Sequence, residues 1–331
     1  MAPEELEEAG YAPAARFLRV KMNPKPIVVV GSINIDLVAR AERIPLAGET
    51  VLSSDFQMHP GGKGANQAVA VARLGYPVRM IGRVGSDAFG EKLREQLAQS
   101  GVDASLVLTS QGPSGVAVIA VAPNGENAIV VTPGANAQVS PQDLEANAGV
   151  IREAGAVLAQ LEIPFETVER LARLCAQANV PLLLDPAPAR ALPAGLLGLL
   201  SWLTPNETEI TECLPPGATG SPDLIATAET LAQRVRSGVL LKRGARGAFL
   251  AGSDGLRQQI DAFEVTAVDT TAAGDAFNGA FAVARMMGRS AMESARFATA
   301  ASAVSVTRAG AQPSLPILEE VERLRRERWT E

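Results

Sequence analysis

Four short apolar runs most constrain the fold of this chain, because polar residues do not alternate with apolar ones inside them. The runs are residues 27–30, 156–161, 182–184 and 239–241. A strand that is buried on both faces of a sheet has this pattern, whereas a strand with one solvated face alternates. The runs therefore predict interior strands of a parallel sheet.

Helical patterns separate these runs. Asp87 can cap a first helical turn, and Phe89, Leu93 and Leu97 follow it. These three residues share one face of a helix, and the pattern ends near Gly101, a usual helix terminator. Strands that alternate with helices predict an α/β fold of three layers, with a mostly parallel central sheet between two layers of helices.

Two regions break this alternation, at residues 37–60 and 114–132. The second contains a Pro-Asn-Gly turn at 123–125 between β-branched runs at 116–121 and 128–131. Such a turn between two extended runs is typical of a β-hairpin. The two regions predict a small second sheet.

Composition excludes several classes of protein. A chain of 331 residues with 47% hydrophobic content can bury a large core. Its net charge of -6 provides no basic surface, so neither nucleic acid nor a membrane is expected as a partner. The two cysteines, Cys175 and Cys213, lie far apart, which predicts no disulfide framework and favours a cytoplasmic location. The single histidine, His59, is expected in a loop beside Pro60.

The clearest chemical signal lies at residues 268–281, where small residues run into a carboxylate at a helix start. Ala272, Ala273 and Gly274 allow backbone N–H groups to approach an anion, and the helix start adds partial positive charge. Asp275 would then lie where an attacking hydroxyl needs a base. This pattern predicts a phosphoryl-transfer site; the alternative is a helix N-terminus packed for steric reasons, with Asp275 as its cap.

The remaining motifs occur in the order of a known family. They are residues 29–36 (VVGSINID), 60–68 (PGGKGANQA), 131–136 (VTPGAN), 160–162 (QLE), 185–188 (DPAP), 204–209 (TPNETE) and 242–247 (KRGARG). With 268–281, this set resembles the PfkB-type carbohydrate kinases in their ribokinase form, over residues 26–316. Residues 1–25 are then expected to form an extension, disordered or helical, and 317–331 a C-terminal helix or tail.

The resemblance implies a ribokinase-like fold in which the small sheet, at about 37–60 and 114–132, forms a lid over a sugar and a homodimer interface. It also implies Mg2+-assisted, K+-activated transfer of the γ-phosphoryl of ATP to the 5-hydroxyl of D-ribose. The alternatives are a kinase for another sugar or a nucleoside, with deoxyribose and fructose as candidates, and a non-catalytic sugar-binding regulator on the same fold. A pure binding protein would not need a base such as Asp275.

The resemblance also assigns roles to individual residues. The base is Asp275, and the anion hole is Ala272, Ala273 and Gly274. The sugar ligands are Asn34, Asp36, Gly62, Lys63, Asn66, Glu162 and Asp275. The nucleotide ligands are Asn206, Lys242, Gly244, Gly247 and Gly274. Asn206 and Glu209 would hold Mg2+ through water, and a monovalent cation would be held by Asp269, Thr271, Ser305, Gly310 and Ser314.

Several of the sugar ligands have structural alternatives. The glycines around Lys63 can form a turn that caps a helix at 65–74. Asp36 and Glu162 can be surface charges at the ends of strands. The sequence leaves these alternatives open.

The nucleotide and metal ligands have alternatives as well. Asn206 and Glu209 have the spacing of a capping box, which is compatible with a metal role. Lys242 stands where the resemblance leads us to expect Thr or Ser. It would either supply charge to a phosphate or be a charged strand end.

Overall fold

In the computed structural model, which describes residues 24–218 and 220–329, the predicted apolar runs form the middle of one large sheet. The strands are β1 Ile27–Val30, β2 Asn34–Ala41, β3 Ser53–Gly61, β4 Val78–Gly85, β5 Val107–Ser110, β6 Gly115–Val121, β7 Asn127–Thr132, β8 Ala156–Ala159, β9 Leu182–Leu184, β10 Trp202–Leu203, β11 Gly238–Lys242, β12 Ala248–Gly252 and β13 Arg257–Ile260. The helices are α1 Lys63–Arg73, α2 Ala88–Gln99, α3 Pro141–Ala146, α4 Ala148–Glu153, α5 Phe165–Gln177, α6 Ala194–Leu197, α7 Leu224–Ala232, α8 Ala273–Met286, α9 Ala291–Ser305 and α10 Leu318–Trp329.

The large sheet has the order β13-β12-β11-β10-β9-β8-β1-β4-β5. Neighbouring strands from β11 to β5 are parallel, and β12 and β13 add an antiparallel edge. The predicted α/β fold with a mostly parallel central sheet is confirmed. Because the carboxyl ends of parallel strands meet at one edge, polar residues that follow β1, β8 and β9 are brought close together.

Strand β1 shows why the sheet lies between two layers. Ile27 and Val29 pack into one apolar cluster, with α1, α2, α8, α9 and α10, while Val28 and Val30 pack into a second, with α3 to α7. All four side chains are fully buried. Each contributes roughly 1.5–3 kcal/mol by leaving water, which explains the unalternating run in the sequence.

Helix α2 begins as predicted. The Asp87 side chain accepts a hydrogen bond from the Gly90 N–H at 2.9 Å, and Leu93 and Leu97 are buried. The chain leaves the helix through Gly101, whose φ of +85° suits glycine.

The small sheet has the order β3-β2-β6-β7, with β2 parallel to β6 and the other pairs antiparallel. Strands β6 and β7 form the predicted hairpin around 123–125. The sheet begins slightly earlier than expected, at Asn34, because only three residues separate β1 from β2. The chain therefore passes directly from the large sheet into the small one, which we call the lid.

The expectation of a loop at His59 is wrong. His59 lies in β3 opposite Asp36 of β2, and Pro60 is accommodated because β3 is an edge strand. The predicted extension at 1–25 falls almost entirely outside the described residues, and the division of the chain into segments stays a prediction. In the described ranges, no helix is both long and apolar enough to cross a membrane.

Candidate active site

The turn before α8 has an unusual backbone. Ala272 immediately precedes the helix in the left-handed region, with a φ of +59°, at a cost of about 1–3 kcal/mol for an alanine. The N–H of Ala273 donates to the Thr270 carbonyl at 3.2 Å. Among the described residues, no acceptor meets the N–H of Gly274 or Asp275. In the predicted anion hole of Ala272, Ala273 and Gly274, the Ala273 N–H is therefore already engaged, whereas the Gly274 N–H is available and Asp275 adds a further donor at the helix N-terminus, an arrangement that suits an anion.

Asp275 lies in the first turn of α8 and is 6% exposed. Its Oδ2 accepts from Asn66 Nδ2 at 3.0 Å, and its Oδ1 accepts from Gln67 Nε2 at 3.1 Å. Both amides belong to α1, so the carboxylate is oriented by another helix. The alternative in which Asp275 caps its own helix is therefore wrong.

The pKa of Asp275 is raised to about 6, because burial, helped by the charge of Asp185, outweighs the lowering effect of Lys63 and of the two amides. A carboxylate with a pKa near neutrality is a stronger base than an exposed aspartate and remains ionised at neutral pH. Geometry and protonation state both suit a general base.

Three further residues, which the sequence reasoning did not single out, complete the surroundings of Asp275. Gln67 Nε2 also donates to Asp185 Oδ2 at 3.0 Å, and Gln67 Oε1 accepts from Gln160 Nε2 at 2.7 Å. Gln67 and Gln160 are fully buried and Asp185 is 3% exposed. A signal existed in the sequence, since Gln160 and Asp185 each directly follow a buried strand.

The predicted sugar ligands gather where the lid meets the large sheet. Asn34 Oδ1 accepts from Asn136 Nδ2 at 2.7 Å, and Glu162 Oε2 accepts from the Lys63 N–H at 3.1 Å. Glu162 also accepts from the Ser32 hydroxyl. Glu162 is thus not a surface charge, since it anchors the turn before α1.

Gly62 is required in that turn for steric reasons. Its φ is +88°, and a Cβ there would lie 2.7 Å from the Asn34 nitrogen. The Cα of Gly62 packs directly against the β1–β2 connection, where a side chain has no room. The glycine-rich motif therefore has a structural role whether or not it touches a ligand.

Asp36 differs from the other sugar ligands because, among the described residues, no hydrogen-bond donor meets its carboxylate. Its pKa is raised to about 6, mainly by burial and further by the charges of Glu162 and Asp275, against the lowering effect of Lys63. Burial by itself lowers the pKa of Lys63, but the carboxylates of Asp275 and Glu162 raise it above its ordinary value. Lys63 is thus a permanent cation within a cluster of carboxylates.

A cavity of about 910 Å³ opens on the other side of Asp275. Lys63, Asp185 and Asp275 line one end, and Phe263 and Val306 line an apolar part. All the predicted nucleotide ligands lie on its wall: Asn206, Lys242, Gly244, Gly247 and Gly274. The remaining sugar ligands do not line it. Asp275 and Lys63 therefore mark the junction of two separate sites.

Two of these predicted nucleotide ligands, Gly247 and Lys242, also have contacts within the protein. Gly247 is explained by packing, because a Cβ there would lie 2.0 Å from the Ile260 carbonyl oxygen. Lys242 is not an exposed strand end, since its Nζ lies 2.8 Å from Asp185 Oδ1 inside the cavity. Its neighbour Arg243 points elsewhere, towards Gln259 and Glu207.

Asn206 and Glu209 form both bonds of a capping box. The Asn206 N–H donates to Glu209 Oε2 at 2.8 Å, and the Glu209 N–H donates to Asn206 Oδ1 at 2.9 Å. Turns rather than a regular helix follow them. Asn206 Nδ2 also bonds Glu209 Oε1 at 2.8 Å. Because both carboxylate oxygens already accept hydrogen bonds, a metal held through water fits this pair better than one bound directly.

The predicted monovalent-cation ligands form two bonded groups. Asp269 accepts from the N–H groups of Thr271 and Gly310, each at 2.8 Å, and Ser305 Oγ lies 2.9 Å from Ser314 Oγ. The groups adjoin, since the N–H groups of residues 268 and 269 donate to the Val306 carbonyl. Burial raises the pKa of Asp269, but these hydrogen bonds bring it below its ordinary value, so the carboxylate is ionised. An anionic oxygen among carbonyls and hydroxyls suits a hard cation.

A buried carboxylate, a helix start with two N–H groups that no described acceptor meets, and an adjoining cavity on this α/β fold are the features expected of a phosphotransferase that acts on an alcohol. A model of the pfkB family carbohydrate kinases matches residues 25–318, and the chain belongs to that family.

Individual relatives agree with the family. The ribokinase of Haemophilus influenzae is 39% identical over 297 residues, which cover 89% of this chain and 97% of that protein. The crystal structure of Thermotoga maritima ribokinase has a TM-score of 0.82 and 38% identity, covering 91% of this chain and 99% of that one. Arabidopsis thaliana ribokinase, solved in complex with ribose and ATP, has a TM-score of 0.82, 36% identity and the same coverage. The predicted resemblance is confirmed.

Proposed function

We propose that the chain is a ribokinase, which transfers the γ-phosphoryl group of ATP to the 5-hydroxyl of D-ribose and releases D-ribose 5-phosphate and ADP. The observation that carries the proposal is the position of Asp275. Its carboxylate lies between the cavity, which would hold the nucleotide, and the cluster under the lid, which would hold the sugar. A non-catalytic sugar-binding protein would need no buried carboxylate at this junction.

The chemistry follows from that position. The Asp275 carboxylate accepts the proton of the sugar hydroxyl while the hydroxyl oxygen forms a bond to the γ-phosphorus, and ADP leaves with the electron pair of the broken P–O bond. The N–H groups of Gly274 and Asp275 stabilise the charge on the phosphoryl oxygens. Asn66 and Gln67 hold the base in place, so little reorganisation is needed.

Sugar recognition would rest on the polar residues under the lid. Ribose presents several hydroxyl groups, and each one left unpaired in a buried site costs about 1–3 kcal/mol. Asp36, which no donor meets in the part of the chain that the structure describes, has both oxygens available for such hydroxyls. The other groups for ribose hydroxyls would be the Asn34 amide, the Lys63 ammonium group and the Glu162 carboxylate.

Two cations belong to the proposal. Asn206 and Glu209 would hold Mg2+ through water, and the metal would neutralise phosphate charge. The group around Asp269 would hold K+ and order the turn that carries Ala272, without touching a substrate.

We also propose a homodimer that forms through the lid. Its support is the exposed apolar surface of that sheet: Met58, Val118 and Val130 are 45, 50 and 67% exposed, and they lie in one row across the sheet, with Leu37 between Met58 and Val118. Apolar side chains clustered in this way commonly mark an interface. The proposed cytoplasmic location rests on Cys175 and Cys213, which are buried and free.

One experiment tests the function directly. ADP release is measured for D-ribose, 2-deoxyribose, fructose and ribonucleosides with MgATP, in KCl and in NaCl at equal ionic strength. We expect the highest kcat/KM for ribose, and faster turnover in KCl. A preference for another sugar would reassign the substrate, equal rates in both salts would remove the K+ site, and no turnover with any sugar would contradict the kinase.

A further inference from the structure

Lys242 is held at its backbone beside the proposed metal-organising pair. Its N–H donates to the Pro205 carbonyl at 2.8 Å, and the residue forms an isolated β-bridge with Asn206. From the end of β11 its side chain extends along the cavity wall. The position of its ammonium group is therefore set by a short, well-anchored strand.

The ammonium group lies at the anion-binding turn. Lys242 Nζ is 3.3 Å from the position that a Cβ on Gly274 would occupy. It thus lies beside Gly274, whose N–H has no acceptor among the described residues, as is also true of the next residue, Asp275. A full positive charge beside the start of a helix favours an anion there more than either feature would alone.

This charge is paired with Asp185. The two side chains are only 14 and 4% exposed, so both charges have lost most of their water. A lysine ammonium group has three donors, and one protein acceptor meets it within the described ranges. Asp185 also accepts from Gln67 through its other oxygen. Asp185 therefore keeps a hydrogen bond if the lysine turns away.

We propose that Lys242 changes partner when the nucleotide binds, from Asp185 to the terminal phosphate of a nucleoside triphosphate. The inference rests on the proposed kinase function and adds a residue that selects triphosphate over diphosphate. Because Asp275 must lie close to the phosphorus under attack, the terminal phosphate lies at the turn of residues 274–275. A diphosphate ends one phosphate short of that point, so with ADP the lysine stays with Asp185.

The exchange makes Asp185 a competitor for the ammonium group. Removing the charge of Asp185 then strengthens binding of a triphosphate, whereas removing the charge of Lys242 weakens it. A purely structural ion pair predicts a loss of stability in both variants and no discrimination between nucleotides.

The test is calorimetric binding of ADP and of the non-hydrolysable analogue AMP-PNP, in EDTA so that no divalent metal contributes. We expect Lys242→Met to weaken AMP-PNP binding roughly 10- to 100-fold, the range for a lost charged hydrogen bond, and to leave ADP binding unchanged. Asp185→Asn should bind AMP-PNP more tightly than the wild type. The matched control is Lys92→Met, which removes an equal charge from the exposed face of α2.

Two results would overturn the inference. One is an equal loss of ADP and AMP-PNP affinity in Lys242→Met, and the other is weaker AMP-PNP binding in Asp185→Asn. Lys242→Met can unfold because Asp185 is left as an unpaired buried charge. In that case the double variant Lys242→Met/Asp185→Asn, which buries neither charge, should show the same loss of AMP-PNP affinity with unchanged ADP affinity. Phosphorylation of ribose by the wild type tests the kinase function separately, since an active kinase can still fail these binding tests.

Discussion

Asp275 and Asp36 are two carboxylates of one site with opposite surroundings. Burial raises the pKa of each to about 6. Asp275 is held by two amides of α1, whereas Asp36 on the lid has no hydrogen-bond donor among the described residues. With the proposed roles of Asp275 as base and Asp36 as sugar ligand, the difference teaches that the catalytic side of the site is assembled by the protein itself, whereas the sugar side is left for its ligand to complete.

The energetic reason is that a general base and a sugar-binding carboxylate require different surroundings. A base acts best when its orientation is fixed before the reaction, so its hydrogen bonds come from the folded chain. A group that recognises a sugar must exchange water for hydroxyls, so a strong bond to the protein would compete with the ligand. Substitutions at the two carboxylates should therefore affect different kinetic constants.

The largest effect is expected at Asp275. Asp275→Asn keeps the size of the side chain but removes the base, and kcat should fall roughly 10²- to 10⁴-fold. Affinities for ribose and ATP, measured by calorimetry, should change little. Asp254→Asn, at an exposed turn, is the control. Near-normal turnover in Asp275→Asn would mean that this residue does not deprotonate the sugar.

The next effect is expected at Asp36. Asp36→Ala removes acceptors for ribose hydroxyls, and the KM for ribose should rise roughly 10- to 100-fold, with kcat less affected. The KM for ATP should stay the same, because Asp36 lies outside the cavity. Asp55→Ala removes a carboxylate from the same lid and serves as the control. If Asp36→Ala lowered kcat without raising the ribose KM, the proposed contrast between the two carboxylates would fail.

A smaller effect is expected from pH. Because burial raises the pKa of Asp275 to about 6, the ionised base is lost as the pH decreases through that value. We expect kcat, measured at saturating ribose so that sugar binding by Asp36 does not contribute, to be flat near neutrality and to fall nearly tenfold per pH unit below about pH 6. Asp36→Ala should retain this acidic limb, while the residual activity of Asp275→Asn should lack it. If the loss of activity at acidic pH disappeared in Asp36→Ala, the titrating group would be Asp36 on the lid and not Asp275.

The smallest effect on catalysis is expected on the lid surface. Val130 lies on the face of the lid opposite Asp36, and Val130→Lys would place a charge in the proposed dimer interface. Sedimentation should show a larger fraction of monomer, with a change of only a few-fold in the ribose KM. Leu108→Lys alters another exposed apolar residue, 40% exposed on β5 and outside the lid, and should leave the mass unchanged. A wild-type monomer would contradict the proposed dimer.

The sequence predicted the elements of this fold well, because their signals are local. The unalternating run at 27–30 and the cap at Asp87 depend on neighbours in the chain. His59 was placed wrongly because Pro60 suggests a break, while an edge strand tolerates proline. That distinction depends on which strands pair, and pairing is not a local property.

The surroundings of the base could not be predicted in the same way. Gln67 bonds Asp185 and Asp275, which lie 118 and 208 positions away in the chain. The motif that contains Gln67 predicted a glycine turn and a sugar site, but nothing within it indicates which amide faces a carboxylate. Lys242 was noticed as a departure from the expected residue, yet its partner became evident only from the structure.

The sequence by itself determined the α/β class, the small second sheet, the helix start at Asp275 and the membership of a kinase family, because hydrophobic periodicity and motif order are written along the chain. Only the tertiary structure decided that Asp275 is held by α1 rather than capping its own helix, that Asp36 meets no donor within residues 24–218 and 220–329, and that Lys242 pairs with Asp185. The physical reason is that hydrogen bonds, desolvation and charge depend on distances in space. Those distances are set when β1, β8 and β9 bring the residues that follow them to one edge of the sheet.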